Sequence, residues 1–136
     1  MSNIEQTLSI IKPDAVERKL TDEIKNIFKK NNLTIKESKK IQISKEEAAD
    51  FYKVHQSKPF YEKLCSYLSS GPIVVMILQG ENAVLSNREL MGATNPKDAK
   101  ENTIRNLYGI SIDKNSVHGS DSNDNAKKEI EFFFKN

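Results

Sequence analysis

The chain has 136 residues, a net charge of +2, 29% charged and 37% hydrophobic residues. That length and composition can close one core without disulfide or structural metal, and the balanced charge excludes a strong field for nucleic acid or anionic lipid. A single cysteine, Cys65, excludes an internal disulfide and a cysteine-cluster metal site. The longest apolar run, residues 73–78, is far too short to span a bilayer, and no secretory signal opens the chain. The expectation is one cytoplasmic domain over residues 1–136.

The first element is a buried strand at Thr7–Ile11, closed by the turn signal Lys12-Pro13-Asp14. Val16, Leu20, Ile24, Ile27 and Phe28 then recur at helical spacing over residues 15–30, and Asn31-Asn32 stops that helix. Leu33, Ile35, Ile41 and Ile43 mark a second strand with a lysine-rich, water-facing stretch between them. Ser44 with Glu47 is a capping box that opens a helix through Val54, and Lys58-Pro59 separates it from a helix at Phe60–Leu68. Ile73–Leu78 is apolar on both faces and reads as a central strand ended by Gly80. Helices follow at Glu81–Leu90 and, with an ambiguous face, at Lys97–Leu107. A long irregular stretch, residues 109–121, holds one short apolar piece around Val117. Ser122 then caps a last helix carrying Ala126, Ile130 and Phe133 on one face. This order predicts an α+β, ferredoxin-like sandwich: a four-stranded antiparallel sheet covered by helices, with a long loop before the last strand.

Three places hold residues suited to chemistry. His118 precedes Gly119, Ser120 and Asp121 where a short strand meets a helix start. Gly119 would let the backbone turn sharply beside the ring. A carboxylate from the following helix, Glu129, could hold one ring nitrogen and leave the other as a nucleophile. From spacing alone, a surface histidine in an Asx-type turn fits equally well. Arg88, Thr94 and Arg105 flank a glycine-containing loop, and arginine forks match phosphate oxygens, although surface arginines on amphipathic helices are the commoner case. Lys12 stands at the end of a buried strand, where a rigid ammonium is better placed than on a helix face. Tyr52 and His55, three apart, share a helix face. Walker-type and Gly-x-Gly-x-x-Gly loops are both absent from the sequence, as is histidine pairing at metal spacing.

These pieces together resemble the nucleoside diphosphate kinase family. The segments TLSIIKPDAV, FYKVHQSKPFYEKL, SSGPIVVMILQGENAV, RELMGATNP, TIR and NSVHGSDSNDNAKKEIEFFF occur in the family's order over nearly the whole chain. The resemblance implies transfer of the γ-phosphate of a nucleoside triphosphate to a nucleoside diphosphate by a ping-pong route with broad base specificity. It implies His118 as the nucleophile through Nδ1, with Glu129 and Ser120 orienting the ring. Lys12, Tyr52, His55, Arg88, Thr94 and Arg105 would surround the phosphates, and Lys12 and Asn115 would read the ribose. Phe60 would stack on the base, with Leu64 and Ile112 completing an apolar slot. Magnesium (Mg2+) would arrive on the nucleotide phosphates. A homo-oligomer is implied, a hexamer ahead of a tetramer, and part of Phe132–Phe134 is expected in an interface. Neither membrane nor nucleic acid is expected as a main partner. The chain departs from the family pattern at Asp22, where glycine is common, at Lys58, where arginine is, and at Glu101-Asn102, where Pro-Gly is.

Overall fold

A computed structural model describes residues 4–53, 56–112 and 114–134. Four strands, β1 (Ile4–Ile11), β2 (Thr34–Ile41), β3 (Ile73–Glu81) and β4 (Val117–Gly119), form one sheet in the order β2-β3-β1-β4. Every neighbouring pair is antiparallel. This is the ferredoxin-like arrangement that the element order predicts.

Alternation along the two central strands divides the interior into two cores. Leu8 and Ile10 of β1 and Ile73 and Val75 of β3 enter one core, packed by α3 (Lys45–Phe51), α4 (Tyr61–Leu68) and α7 (Asn123–Phe134). Ile11, Val74, Met76 and Leu78 enter the other, beneath α1 (Pro13–Glu17), α2 (Thr21–Lys30), α5 (Ala83–Met91) and α6 (Ile104–Tyr108). Strands buried on both faces read as continuous apolar runs, which is why β3 is so clear in the sequence. β2 lies at one edge and is largely exposed in the single chain.

The predicted single helix over residues 15–30 is two helices. Lys19 adopts a φ of 61° after α1, and the Leu20 and Lys19 N–H groups donate to the Ala15 and Val16 carbonyls. This is a Schellman stop with lysine, not glycine, in the left-handed position. The same motif with Asn32 (φ 66°) ends α2. The predicted helix over residues 97–107 is also corrected. Asn95 caps a single tight turn at Pro96–Asp98, Asn102 is left-handed at φ 71°, and Thr103 starts α6 by accepting the Asn106 N–H. The departure from Pro-Gly at 101–102 therefore leaves asparagine in a conformation glycine adopts freely. Gly80 does not end β3, which continues to Glu81. A Cβ on Gly80 would stand 2.9 Å from the Asn32 carbonyl oxygen, so its role is close approach. The capping box at Ser44 and Glu47 is present on both sides. Phe133 is buried, Phe134 packs against the same core, and Phe132 is at the surface. Lys39 of β2 donates to the Phe133 carbonyl and lies over the Phe134 ring.

Candidate active site

β4 is only three residues long. Lys12 N–H donates to the Ser116 carbonyl at 2.8 Å and Ser120 N–H to the Leu8 carbonyl at 3.2 Å, so both ends of the strand are tied to β1. Val117 is buried in the α5–α6 core, and alternation turns His118 to the opposite side, toward α7 and α3. Glu129 of α7 brings its Oε1 within 3.1 Å of His118 Nε2. Ser120 Oγ donates to the same Oε1 at 2.8 Å and accepts the Leu8 N–H at 3.3 Å. A carboxylate accepts, so this contact calls for a proton on Nε2, and in a neutral ring that leaves the lone pair on Nδ1. Gly119 is not a sharp turn: it lies within β4. A Cβ there would stand 2.3 Å from Asn87 Nδ2 and within 3 Å of Met91, so glycine is required by what lies beneath the strand.

His118 opens onto a cavity of about 820 Å3. Lys12, Arg88 and Arg105 bring three cations to its wall, with Thr94 and Asn115 beside them. Lys12 is 6% exposed, and its Nζ donates to Asn115 Oδ1 at 2.9 Å. The Asn115 amide in turn donates to the Thr94 and Ile112 carbonyls at 3.1 and 2.9 Å. Arg105, on α6, donates to the Gly92 carbonyl at 3.0 Å and the Val117 carbonyl at 2.9 Å. Its Nε is buried without a hydrogen-bond partner among the described residues. Burial, and then the nearby charge of Arg88, lower its pKa to about 10. A desolvated arginine beside a like charge favours an anion in the space between them. The Asp121 carboxyl is held below its usual range, first by a hydrogen bond from Asn125 and in smaller part by Arg88.

Tyr52 is buried on the cavity wall, and burial raises its pKa, which keeps the phenol a proton donor. Phe60, Leu64 and Ile112 also line the cavity. Phe60 is 43% and Ile112 54% exposed, so two of the apolar side chains that line it stand partly in water. Lys58 Nζ lies 5.7 Å from the Phe60 ring centroid. Of the site residues expected from the sequence, eleven therefore line one cavity and Ser120 supports it from behind. His55 lies outside the described residues.

The sequence reading passed over Phe51, whose ring packs edge-on against His118 at 5.4 Å and 75°. Phe132, Lys128 and Asn125 of α7 also line the cavity unanticipated. Their only signal was a place on the turns of α7 around Glu129.

Three comparisons bear on this geometry. The family model described as Nucleoside diphosphate kinase matches residues 5–136. The chain is 58% identical over 132 residues to a nucleoside diphosphate kinase of Campylobacter jejuni subsp. jejuni serotype O:2, covering 97% of this chain and 96% of that one. It is 58% identical over 131 residues to one from Nitratiruptor sp., covering 96% of each. The fold superposes on a crystal structure of the Aquifex aeolicus nucleoside diphosphate kinase with a TM-score of 0.95, at 38% identity over 97% of this chain and 96% of that one. A crystal structure of the Encephalitozoon cuniculi enzyme gives 0.94 at 37% identity, over 97% and 90%.

Proposed function

The chain belongs to the nucleoside diphosphate kinase family, phosphotransferases, and from that premise we propose that it works by a ping-pong route through a phosphohistidine on His118. The observation that carries this reading is the shared Glu129 oxygen, which holds Nε2–H at 3.1 Å and the Ser120 hydroxyl at 2.8 Å on the wall of a cation-lined cavity. With Nε2 engaged, the Nδ1 lone pair attacks the γ-phosphorus. The bond to the β–γ bridging oxygen breaks, and its electron pair leaves on the nucleoside diphosphate. In the second half a terminal oxygen of another diphosphate attacks the same phosphorus, and the P–N bond returns its pair to Nδ1. Glu129 offsets the positive charge that the ring gains while phosphorylated.

Phosphoryl transfer asks the protein mainly for positioning and charge stabilisation. Arg88, Arg105 and Lys12 would take the phosphate oxygens, with Thr94 and the Tyr52 hydroxyl as neutral donors and His55 as a further contact. That donor set suits an anion, so the substrate is read as the magnesium complex of the nucleotide, with Mg2+ offsetting part of the β,γ-phosphate charge. Lys12 and Asn115 would read the ribose hydroxyls. Phe60, Leu64 and Ile112 would hold the base by stacking and apolar contact, which discriminates poorly among bases and supports broad specificity. The working unit is proposed to be a cytoplasmic homo-oligomer of single-domain chains spanning residues 1–136, a hexamer ahead of a tetramer. Light scattering on the eluted protein tests the assembly, and a 15.5 kDa species alone would refute it.

The mechanism is tested by incubation with γ-labelled ATP and magnesium. Wild type should acquire acid-labile, base-stable label that GDP discharges as GTP, and His118→Ala should acquire none. Unlabelled wild type would refute the covalent route.

A further inference from the structure

Asp14 is a buried carboxylate two residues beyond Lys12, and it does not line the cavity. Its oxygens are fully engaged. Oδ1 accepts from the Tyr67 hydroxyl, which itself accepts the Asp14 N–H at 2.8 Å. Oδ2 accepts from Arg18 and from the Ser116 hydroxyl, each at 3.3 Å. Arg18 continues from this pair to the Tyr108 carbonyl at the end of α6. Burial, and then the carboxylate beside it, raise the pKa of Tyr67, so its hydroxyl stays a donor. A buried carboxylate costs stability unless it is paired and hydrogen-bonded, and here Tyr67 of α4, Arg18 at the end of α1 and Ser116 ahead of β4 supply the partners.

What the cluster grips is Ser116. This residue is fully buried with a φ of 75°, a conformation in which any Cβ is strained. Its carbonyl accepts the Lys12 N–H, and its neighbour Asn115 accepts the Lys12 ammonium. The same backbone turn therefore sets the Lys12 ammonium and the Asn115 amide from inside while Asp14 holds it from outside. We propose that Asp14 is a positioning residue for nucleotide binding, which pins Ser116 in its left-handed conformation and thereby aims Asn115 and the Lys12 ammonium. It governs how tightly a nucleoside diphosphate is held, and through the Lys12 ammonium it reaches the transferred phosphate as well. The inference rests on the reading of Lys12 and Asn115 as nucleotide contacts.

The experiment is calorimetric titration of ADP into wild type, Asp14→Asn, Asn115→Ala and the double variant, with His118 labelling at saturating ATP measured in parallel. Asp14→Asn should raise the Kd for ADP about tenfold, by a larger factor than it lowers the labelling rate at saturating ATP. In the Asn115→Ala background it should raise Kd by less than it does in wild type, because only its effect through the Lys12 ammonium remains. An unchanged Kd with a lowered melting temperature, or fully additive losses, would overturn the proposal. Should Asp14→Asn fail to fold, Tyr67→Phe removes one hydroxyl and keeps the ring. It should raise Kd about threefold, and an unchanged value would overturn the proposal equally. Failure of the covalent route would show separately, as absent label on wild type, and leaves the Kd comparison readable.

Discussion

Replacing Gly119 by alanine is the sharpest perturbation the structure offers. The added Cβ would stand 2.3 Å from Asn87 Nδ2, 2.8 Å from Met91 Cε and 2.9 Å from Met91 Sδ, against an ordinary contact of 3.4 Å or more. The methionine thioether can turn aside, but Asn87 is fully buried, so about 1 Å of overlap falls on the asparagine or on β4 itself. Overpacking of this kind costs about 1–3 kcal/mol, which for a domain of this size lowers Tm by about 3–10 °C. Because the overlap pushes β4 away from α5, His118 moves too, and about 1 Å of misplacement can cost roughly a hundredfold in rate. Calorimetry and His118 labelling measure the two effects on one sample. In an Asn87→Ala background the same substitution should cost less than about half as much stability. Wild-type melting and labelling in Gly119→Ala would refute the claim that the space beneath β4 is filled.

Lys19→Gly should raise stability by about 1 kcal/mol by relieving a left-handed φ, while Lys19→Ala, which keeps its Cβ, should change little. Equal melting temperatures for the two variants would sink that reasoning. Glu129→Gln should slow His118 labelling about tenfold to a hundredfold while leaving the unfolding midpoint nearly unchanged. An unchanged rate would remove Glu129 from its orienting role. Arg105 binds its proton less tightly folded, at a pKa of about 10, than a solvated guanidinium does. Its charge therefore opposes folding by about 3 kcal/mol below that folded pKa, and the penalty fades as pH rises through it. Urea unfolding of wild type relative to Arg105→Gln should thus gain from about pH 9 to about pH 11, and a flat difference would show that the guanidinium is not desolvated.

What could be read without coordinates is what short-range chemistry specifies. The run from Ile73 to Leu78 is apolar at every position because both faces of β3 are covered, and no turn residue interrupts it. Ser44 and Glu47 announce a helix start because the box is closed within four residues. Lys19 gave no warning of a helix stop, since lysine bears no mark of left-handed backbone. The left-handed φ of Lys19 and the Leu20 bond back to Ala15 reveal it. Lys12, Tyr52, Arg88, Thr94, Arg105 and Glu129 stood out by residue type and position, the roles of Leu64, Ile112 and Asn115 came only through the family pattern, and residue spacing alone left His118 balanced between a turn and a nucleophile. Phe51 was out of reach for a different reason. Its contact with His118 exists because α3 and α7 cover the same side of the sheet, a fact of packing that no local pattern carries.

The edge of the sheet beyond β4 has a consequence for how the enzyme meets heat and denaturant. β4 has three residues and a strand neighbour on one side only, and across its open side the Val117 carbonyl is closed by the Arg105 guanidinium. The strand bearing the reactive histidine is thus fastened by the side chain proposed to receive phosphate. A bound anion that steadies Arg105 also steadies that fastening, so substrate occupancy and the opening of this edge oppose each other. Such an enzyme would be lost to inactivation locally before it unfolds globally, and most readily when its pocket is empty.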